Sequence, residues 1–237
     1  MTQHHIDKKR AQASFNKASA LYEDSAVLQK QVLEEMFLRL KLLKINPNSI
    51  LDLGCGPGNA GPELKAAYKP HDLIYLDFAY DMLRKAEEKN RDHFLKVFSS
   101  KTTQRFICAD MEAIPLAENS VDMVWSNLSL QWCNDLDRVF TQIAKTLTHN
   151  GLFIFSTFGP STLHELRASL ASFSKHSHVN QFIDMHDIGD ALVGCGFSDP
   201  VLDVDLYTLT YSTFKDIMYD LKHIGARNAL EGRAKGM

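Results

Sequence analysis

The sequence predicts an α/β fold, a doubly wound Rossmann-like parallel sheet with a helical cap at its N-terminus. Two observations carry this prediction. From residue 49 onward, short apolar runs alternate with segments of helical periodicity, the pattern of βαβ units whose sheet is covered on both faces. The first of those runs ends directly in the turn Leu53-Gly54-Cys55-Gly56-Pro57-Gly58. Sheets of this kind bind ligands there, beyond the carboxyl ends of their strands.

Residues 1–46 read as helical, a separate N-terminal unit ahead of a main domain over 47–237. Ala13, Leu21, Leu28, Val32, Met36, Phe37, Leu40 and Leu43 recur at helical spacing. The Glu23-Asp24-Ser25 cluster separates two helices, with Ser25 placed to cap the second. Asn46-Pro47-Asn48 ends the unit. Strands are then expected at 49–53, 73–77, 105–110, 121–125 and 152–156, with helices at 62–68, 79–90 and 136–147. Beyond Thr157 the spacing predicts helices over 161–173 (capped by Ser161 or Thr162), 185–195 and 213–224, and an alternating sixth strand at 201–211.

The 237 residues, 45% hydrophobic with a net charge of −3, suit one domain with an added cap. A chain this long buries enough surface to fold without disulfides or metals. Its mild, mixed charge argues against general nucleic-acid binding, which leaves a basic footprint. Cys55, Cys108, Cys133 and Cys195 are widely spaced with no C-x-x-C pair, as free thiols in a reducing compartment are. The polar N-terminus has no signal core, and no apolar run reaches the length of a membrane span. The expectation is a soluble, cytoplasmic protein with neither membrane nor nucleic acid among its partners, and without a metal.

Gly54, Gly56 and Gly58 alternate between a strand and a helix. Glycines in such a turn let the backbone bend sharply and approach a ligand. The next strand ends in Asp77, 23 residues after Gly54, where an acid can accept hydrogen bonds from ribose hydroxyls. The spacing departs from the dinucleotide fingerprint, whose third position here is Asn59. It also lacks the lysine and hydroxyl residue of a P-loop.

With Asp52 ahead of it, the G-x-G-x-G order resembles the first motif of class I S-adenosylmethionine-dependent methyltransferases. Three further segments resemble that superfamily in order: Asp77-Phe78 with Met82, Asp110-Met111, and Ser126-Asn127-Leu128. The resemblance implies a ribose-binding strand end at Asp77, a residue beneath the adenine at Met82, an adenine-binding turn at Asp110-Met111, and a floor for the methionine half at Asn127-Leu128. The implied cofactor-binding set is Asp52, Gly54, Cys55, Gly56, Gly58, Asp77, Phe78, Met82, Asp110, Met111, Asn127 and Leu128. The implied cofactor is S-adenosyl-L-methionine, with S-adenosyl-L-homocysteine as its product.

Longer segments are more specific. Trp125-Ser126-Asn127-Leu128-Ser129-Leu130-Gln131-Trp132-Cys133, the run from Phe155 to Leu166, and Ile224-Gly225-Ala226-Arg227-Asn228, with Phe15 and Tyr22, resemble the malonyl-acyl carrier protein O-methyltransferases of biotin synthesis. This resemblance implies methylation of the free carboxylate of a malonyl thioester on acyl carrier protein, the ester that starts pimeloyl synthesis. A malonyl carboxylate is ionised at pH 7 and needs no general base, only proximity, geometry and exclusion of water. No residue, and none of the ten histidines, is therefore assigned a catalytic role. His164 follows the fifth strand and reads as a surface or capping residue.

The N-terminal helices are expected to form a lid. Phe15, Tyr22 and Trp132 either shape the acceptor channel or pack as ordinary helix contacts. Arg227 is expected near the malonyl carboxylate. The stretch 222–235, with Lys222, Arg227, Arg233 and Lys235 against Glu231, either docks the acidic carrier or lies solvated. A related group of methyltransferase-fold factors of respiratory-complex assembly shares several segments, and one type hydroxylates an arginine. That alternative, and a binding module without turnover, stay open on fold alone. The superfamily sheet normally closes with a hairpin of sixth and seventh strands, but no apolar strand follows Ile224, so the final strand is missing. The expectation is a shortened chain or a sheet edge completed in another way, since an unpaired edge is a liability.

Overall fold

The computed structural model describes residues 5–91, 102–172, 179–226 and 228–230. Arg227, Glu231, Arg233, Lys235 and the last residue of the helix expected over 161–173 lie outside the described residues. The strands are β1 (Ser49–Leu53), β2 (Asp72–Asp77), β3 (Thr103–Cys108), β4 (Val121–Asn127) and β5 (Leu147–Ser156). They form one five-stranded sheet in the order β3-β2-β1-β4-β5, with parallel pairings throughout. The chain runs outward from β1 through β2 to β3 and returns on the other side of β1 as β4. That reversal leaves a crevice at the carboxyl ends of β1 and β4.

Strand side chains alternate between the two faces, and the sequence supplies apolar residues for both. Ile50, Leu73, Tyr75, Met123 and Trp125 pack against α3 (Val27–Leu40), α4 (Gly61–Tyr68) and α5 (Tyr80–Asn90). Leu51, Leu53, Ile74, Leu76 and Val124 pack against α6 (Leu136–Thr146) and α8 (Met185–Gly194). On the first face the Phe37 ring stacks on Trp125 at 4.6 Å. The remaining helices are α1 (Lys8–Ala18), α2 (Tyr22–Ser25), α7 (His164–Ala171) and α9 (Phe214–His223). α9 opens with a reciprocal Thr213–Asp216 capping box. Among the described residues, no helix is long and apolar enough to cross a membrane.

Three local expectations are corrected. Ser25 does not cap α3: it ends α2, and α3 starts from Ala26 without a side-chain cap. Glu23 and Asp24 lie in the first turn of α2, where the helix dipole favours acids, so the cluster coils instead of separating. Neither Ser161 nor Thr162 caps α7, whose N-cap is Leu163 at φ +54°. Thr162 instead donates its amide to the Gly159 carbonyl in a preceding turn. The stretch 201–211 is not a strand. Arg39 holds Asp203 and Asp205, and Leu202 and Tyr207 pack inward, while Val201, Val204 and Leu206 stand 95%, 73% and 87% exposed. Alternation suits a strand only if a neighbour completes the ladder, and among the described residues nothing pairs with the outer edge of β5. After α9 the described residues form only an isolated antiparallel bridge, Leu230 to Ile6.

Phe140 of α6 is fully buried among the rings of Phe153, Phe155 and Phe197. Phe140→Ala is expected to cost ~3–5 kcal/mol, read as a lower urea midpoint at unchanged slope. A loss below ~1 kcal/mol would show that the α6 layer is not close-packed.

Candidate functional site

The crevice is built from the turn after β1. Gly54 and Cys55 both donate their amides to the Leu76 carbonyl, at 2.8 and 3.0 Å, which ties the turn to the end of β2. Gly54 has φ +70°, and a Cβ there would fall 2.4 Å from that of Ser129. Ser129 fills this space because its hydroxyl donates to the Leu53 carbonyl (3.1 Å) and shares a 2.6 Å hydrogen bond with the Ser126 hydroxyl. Gly56, at φ +54°, is different: a Cβ there would meet nothing within 4 Å. Its bare backbone faces open space, a place a ligand can approach.

Asp77 closes the end of β2. Its carboxylate accepts the amides of Gly56 (2.8 Å) and Ala79 (2.7 Å). Burial raises its pKa to about 6, against the opposing effect of the backbone N–H bonds. Behind it on β1, Asp52 is buried and its Oδ2 has no hydrogen-bond partner. Burial, then the charge of Asp77, pushes Asp52 up to about 8. Burial and the same two carboxylates push the Cys55 thiol well up. The Tyr22 hydroxyl is raised by burial and by Asp77. Of the two carboxyls, Asp77 carries charge the more readily, because it accepts two backbone amides while Asp52 Oδ2 has no partner.

The cleft is lined by Gly54, Gly56, Asp77, Phe78, Met82, Asp110, Met111, Asn127 and Leu128, with Phe15, Tyr22 and Trp132 on its cover. Asp110 starts a 3-10 turn by accepting the Glu112 amide. Asn127 donates to the Gln29 carbonyl of α3 (3.0 Å) and accepts from the Ser156 hydroxyl (2.8 Å). α1 lies across the opening. Gln12 donates to the Phe78 carbonyl at 2.5 Å, and Asn16 accepts the Asp81 amide at 2.9 Å. The Phe15 ring meets Phe78 and Trp132 edge-on, at 5.8 and 4.9 Å. Gly225 closes the far side, where a Cβ would come within 2.8 Å of Phe15.

Three residues of the expected set do not line the cleft. Asp52 and Cys55 are buried behind the turn, and Gly58 faces α5, where a Cβ would strike Asn90 and Ala86. Arg227 lies outside the described residues. His164 is exposed at the start of α7, its Nδ1 3.2 Å from the Ser161 carbonyl. The cleft also contains residues that sequence reasoning missed: Lys8, Gln29, Gln131, Phe158, Ile224 and Ala226. Lys8 bridges Asp110 (2.5 Å) and Glu112 (2.7 Å). No local pattern signals that pairing, whereas Gln131 sits inside the specific 125–133 segment.

The comparisons agree with this architecture. A family model described as a methyltransferase domain matches residues 51–155. The chain is 48% identical to the malonyl-[acyl-carrier protein] O-methyltransferase of Methylovorus sp. (strain MP688), over 98% of this chain and 78% of that one. It is 45% identical to the same-named protein of Gallionella capsiferriformans (strain ES-2), over 98% and 79%. Among solved structures, it resembles a methyltransferase from the complex with the Haloferax volcanii Trm112 methyltransferase activator, with a TM-score of 0.61 and 18% identity over 89% of this chain and 93% of that one.

Because the folded pKa of Asp52, about 8, lies above the ordinary carboxylate value, the folded chain binds the extra proton across the window from about pH 4 to pH 8. This group's contribution to stability is therefore present at low pH and lost as pH rises through that window. Asp52→Asn is expected to flatten the fall in unfolding free energy between pH 6 and pH 8. An unchanged slope in urea titrations would show that Asp52 is already ionised in the folded state.

Proposed function

The chain belongs to the family of malonyl-[acyl-carrier protein] O-methyltransferases, and on that premise we propose that it transfers a methyl group from S-adenosyl-L-methionine to the free carboxylate of malonyl-acyl carrier protein. The observation that carries this reading is the convergence of the Gly54–Gly56 backbone, Asp77 and the Asp110-Met111 turn on one cleft beneath α1. These residues suit the cofactor. Asp77 accepts two backbone amides and has acceptor positions left for ribose hydroxyls. Met82 and Met111 offer apolar sides to a planar base. Gly56 has no side chain to exclude the methionine end. When bound, S-adenosyl-L-methionine supplies a sulfonium methyl that is electrophilic without further activation.

The acceptor carboxylate is already ionised at pH 7, so the chain's work is to bind, orient and exclude water. Fixing two partners in line can remove about 7–11 kcal/mol of barrier. Within the N-terminal helical segment, α1 and α2 act as the lid: Phe15 plugs the gap between Phe78 and Trp132, and Tyr22 shapes the channel below it. Arg227 and the basic stretch from Lys222 attract the malonyl carboxylate and its acidic carrier before transfer. The methyl ester hides a charge, so that chain elongation toward pimeloyl and biotin can proceed. The enzyme works in the cytoplasm, in keeping with its free cysteines.

Labelled methyl transfer to malonyl-, succinyl- and glutaryl-carrier proteins and their free-acid analogues tests this reading. The expected product is a base-labile methyl ester, formed fastest on malonyl-carrier protein. Cofactor binding without methyl transfer to any carrier would refute it.

A further inference from the structure

The cleft is not closed on all sides. Gln131, Trp132, Phe158 and Ile224 line both the cleft and the broad groove that runs along β5 and α9. They form a neck between outside space and the carboxyl end of β4. An acyl chain on a long arm can reach the cleft through this neck.

At the neck Gln131 is held in one orientation. Its Nε2 donates to the Leu128 carbonyl at 2.6 Å, and its Oε1 accepts from the Thr157 hydroxyl at 3.3 Å. The Leu128 carbonyl is itself fixed. Leu128 sits at φ +48°, and its amide donates to the Ser156 carbonyl (3.1 Å) and hydroxyl (3.0 Å). A left-handed leucine of this kind persists only where its surroundings hold it. A primary amide has two N–H donors, and Leu128 takes one. The cation in the described lining, Lys8, is engaged by Asp110 and Glu112.

We propose that the second N–H of Gln131 binds the acceptor carboxylate on the oxygen that is not methylated. This inference rests on the methyl-transfer reading above. A neutral, single-point donor has a specific advantage here. A guanidinium fork engages both carboxylate oxygens with charge-assisted bonds, and withdraws electron density from the one that must attack. Gln131 fixes the carboxylate and leaves the other oxygen its lone pair. That oxygen forms a bond to the methyl carbon as the carbon–sulfur bond breaks, the electron pair goes to sulfur, and no proton moves. The site is thereby selective for an ionised acid of fixed length, because a longer acid carries its carboxylate past the amide.

The test uses the full chain with malonyl- and succinyl-carrier proteins, comparing wild type, Gln131→Ala and Gln131→Glu. KM for malonyl-carrier protein is expected to rise about tenfold to a hundredfold in Gln131→Ala, the range for losing a hydrogen bond to a charged group. It should rise further in Gln131→Glu, where two carboxylates would face each other. The malonyl-over-succinyl preference should shrink in Gln131→Ala. The affinity for S-adenosyl-L-homocysteine should stay within about twofold of wild type in both variants. An unchanged KM and preference in either folded variant overturns the inference, and so does a loss of homocysteine-nucleoside affinity equal to the rise in KM, which would show a merely structural role. A wild-type chain that binds the nucleoside yet methylates no carrier overturns the methyl-transfer reading itself, and this inference with it.

Discussion

The hydrogen bond from the Gly56 amide to Asp77 couples the glycine turn to the end of β2, and the cleft is arranged around it. The turn cannot move away from β2 without exposing a buried acceptor, and an unsatisfied buried carboxylate is costly. Asp52, one strand over, sharpens the constraint. Two carboxylates this deeply buried cannot both ionise cheaply, and the backbone amides on Asp77 favour charge there over Asp52. That preference follows from burial and topology, and needs no contribution from a surface salt bridge.

The lid is held by weaker forces. Lys8 keeps about a quarter of its side chain in water, at 25% exposure, and such ion pairs contribute little. The edge-on contacts of Phe15 with Phe78 and Trp132 add about 0.5–1.5 kcal/mol each beyond simple burial. Together these contacts keep α1 in place yet leave opening affordable, as a site that exchanges its ligand each turnover requires. The rigid half of the site therefore lies on the sheet and the adaptable half on the N-terminal helices.

Much of this was readable in the sequence because the signals are local. β1 ends where the Leu53-Gly54 step says it should, and alternate residues of β1, β2 and β4 part cleanly into two layers. The strand-end residues Asp77, Asp110 and Asn127 meet at one cleft because parallel strands all deliver their carboxyl ends to the same edge. What sequence reasoning missed depends on distant contacts. Lys8 reaches Asp110 across 102 positions, which no spacing rule encodes. The alternation of 201–211 reads as a strand, but a ladder needs a partner, and the stretch instead lies outside the sheet with Asp203 and Asp205 against Arg39. Asp52, Cys55 and Gly58 share the motif with Gly54 and Gly56, yet shape the turn from behind it.

Calorimetric titration with S-adenosyl-L-homocysteine, on wild type and Asp77→Ala side by side, tests the central claim most directly. The account predicts saturable one-to-one binding for the wild type and an affinity at least about tenfold weaker for the variant. Identical isotherms for the two proteins, or no heat with the wild type, would contradict it.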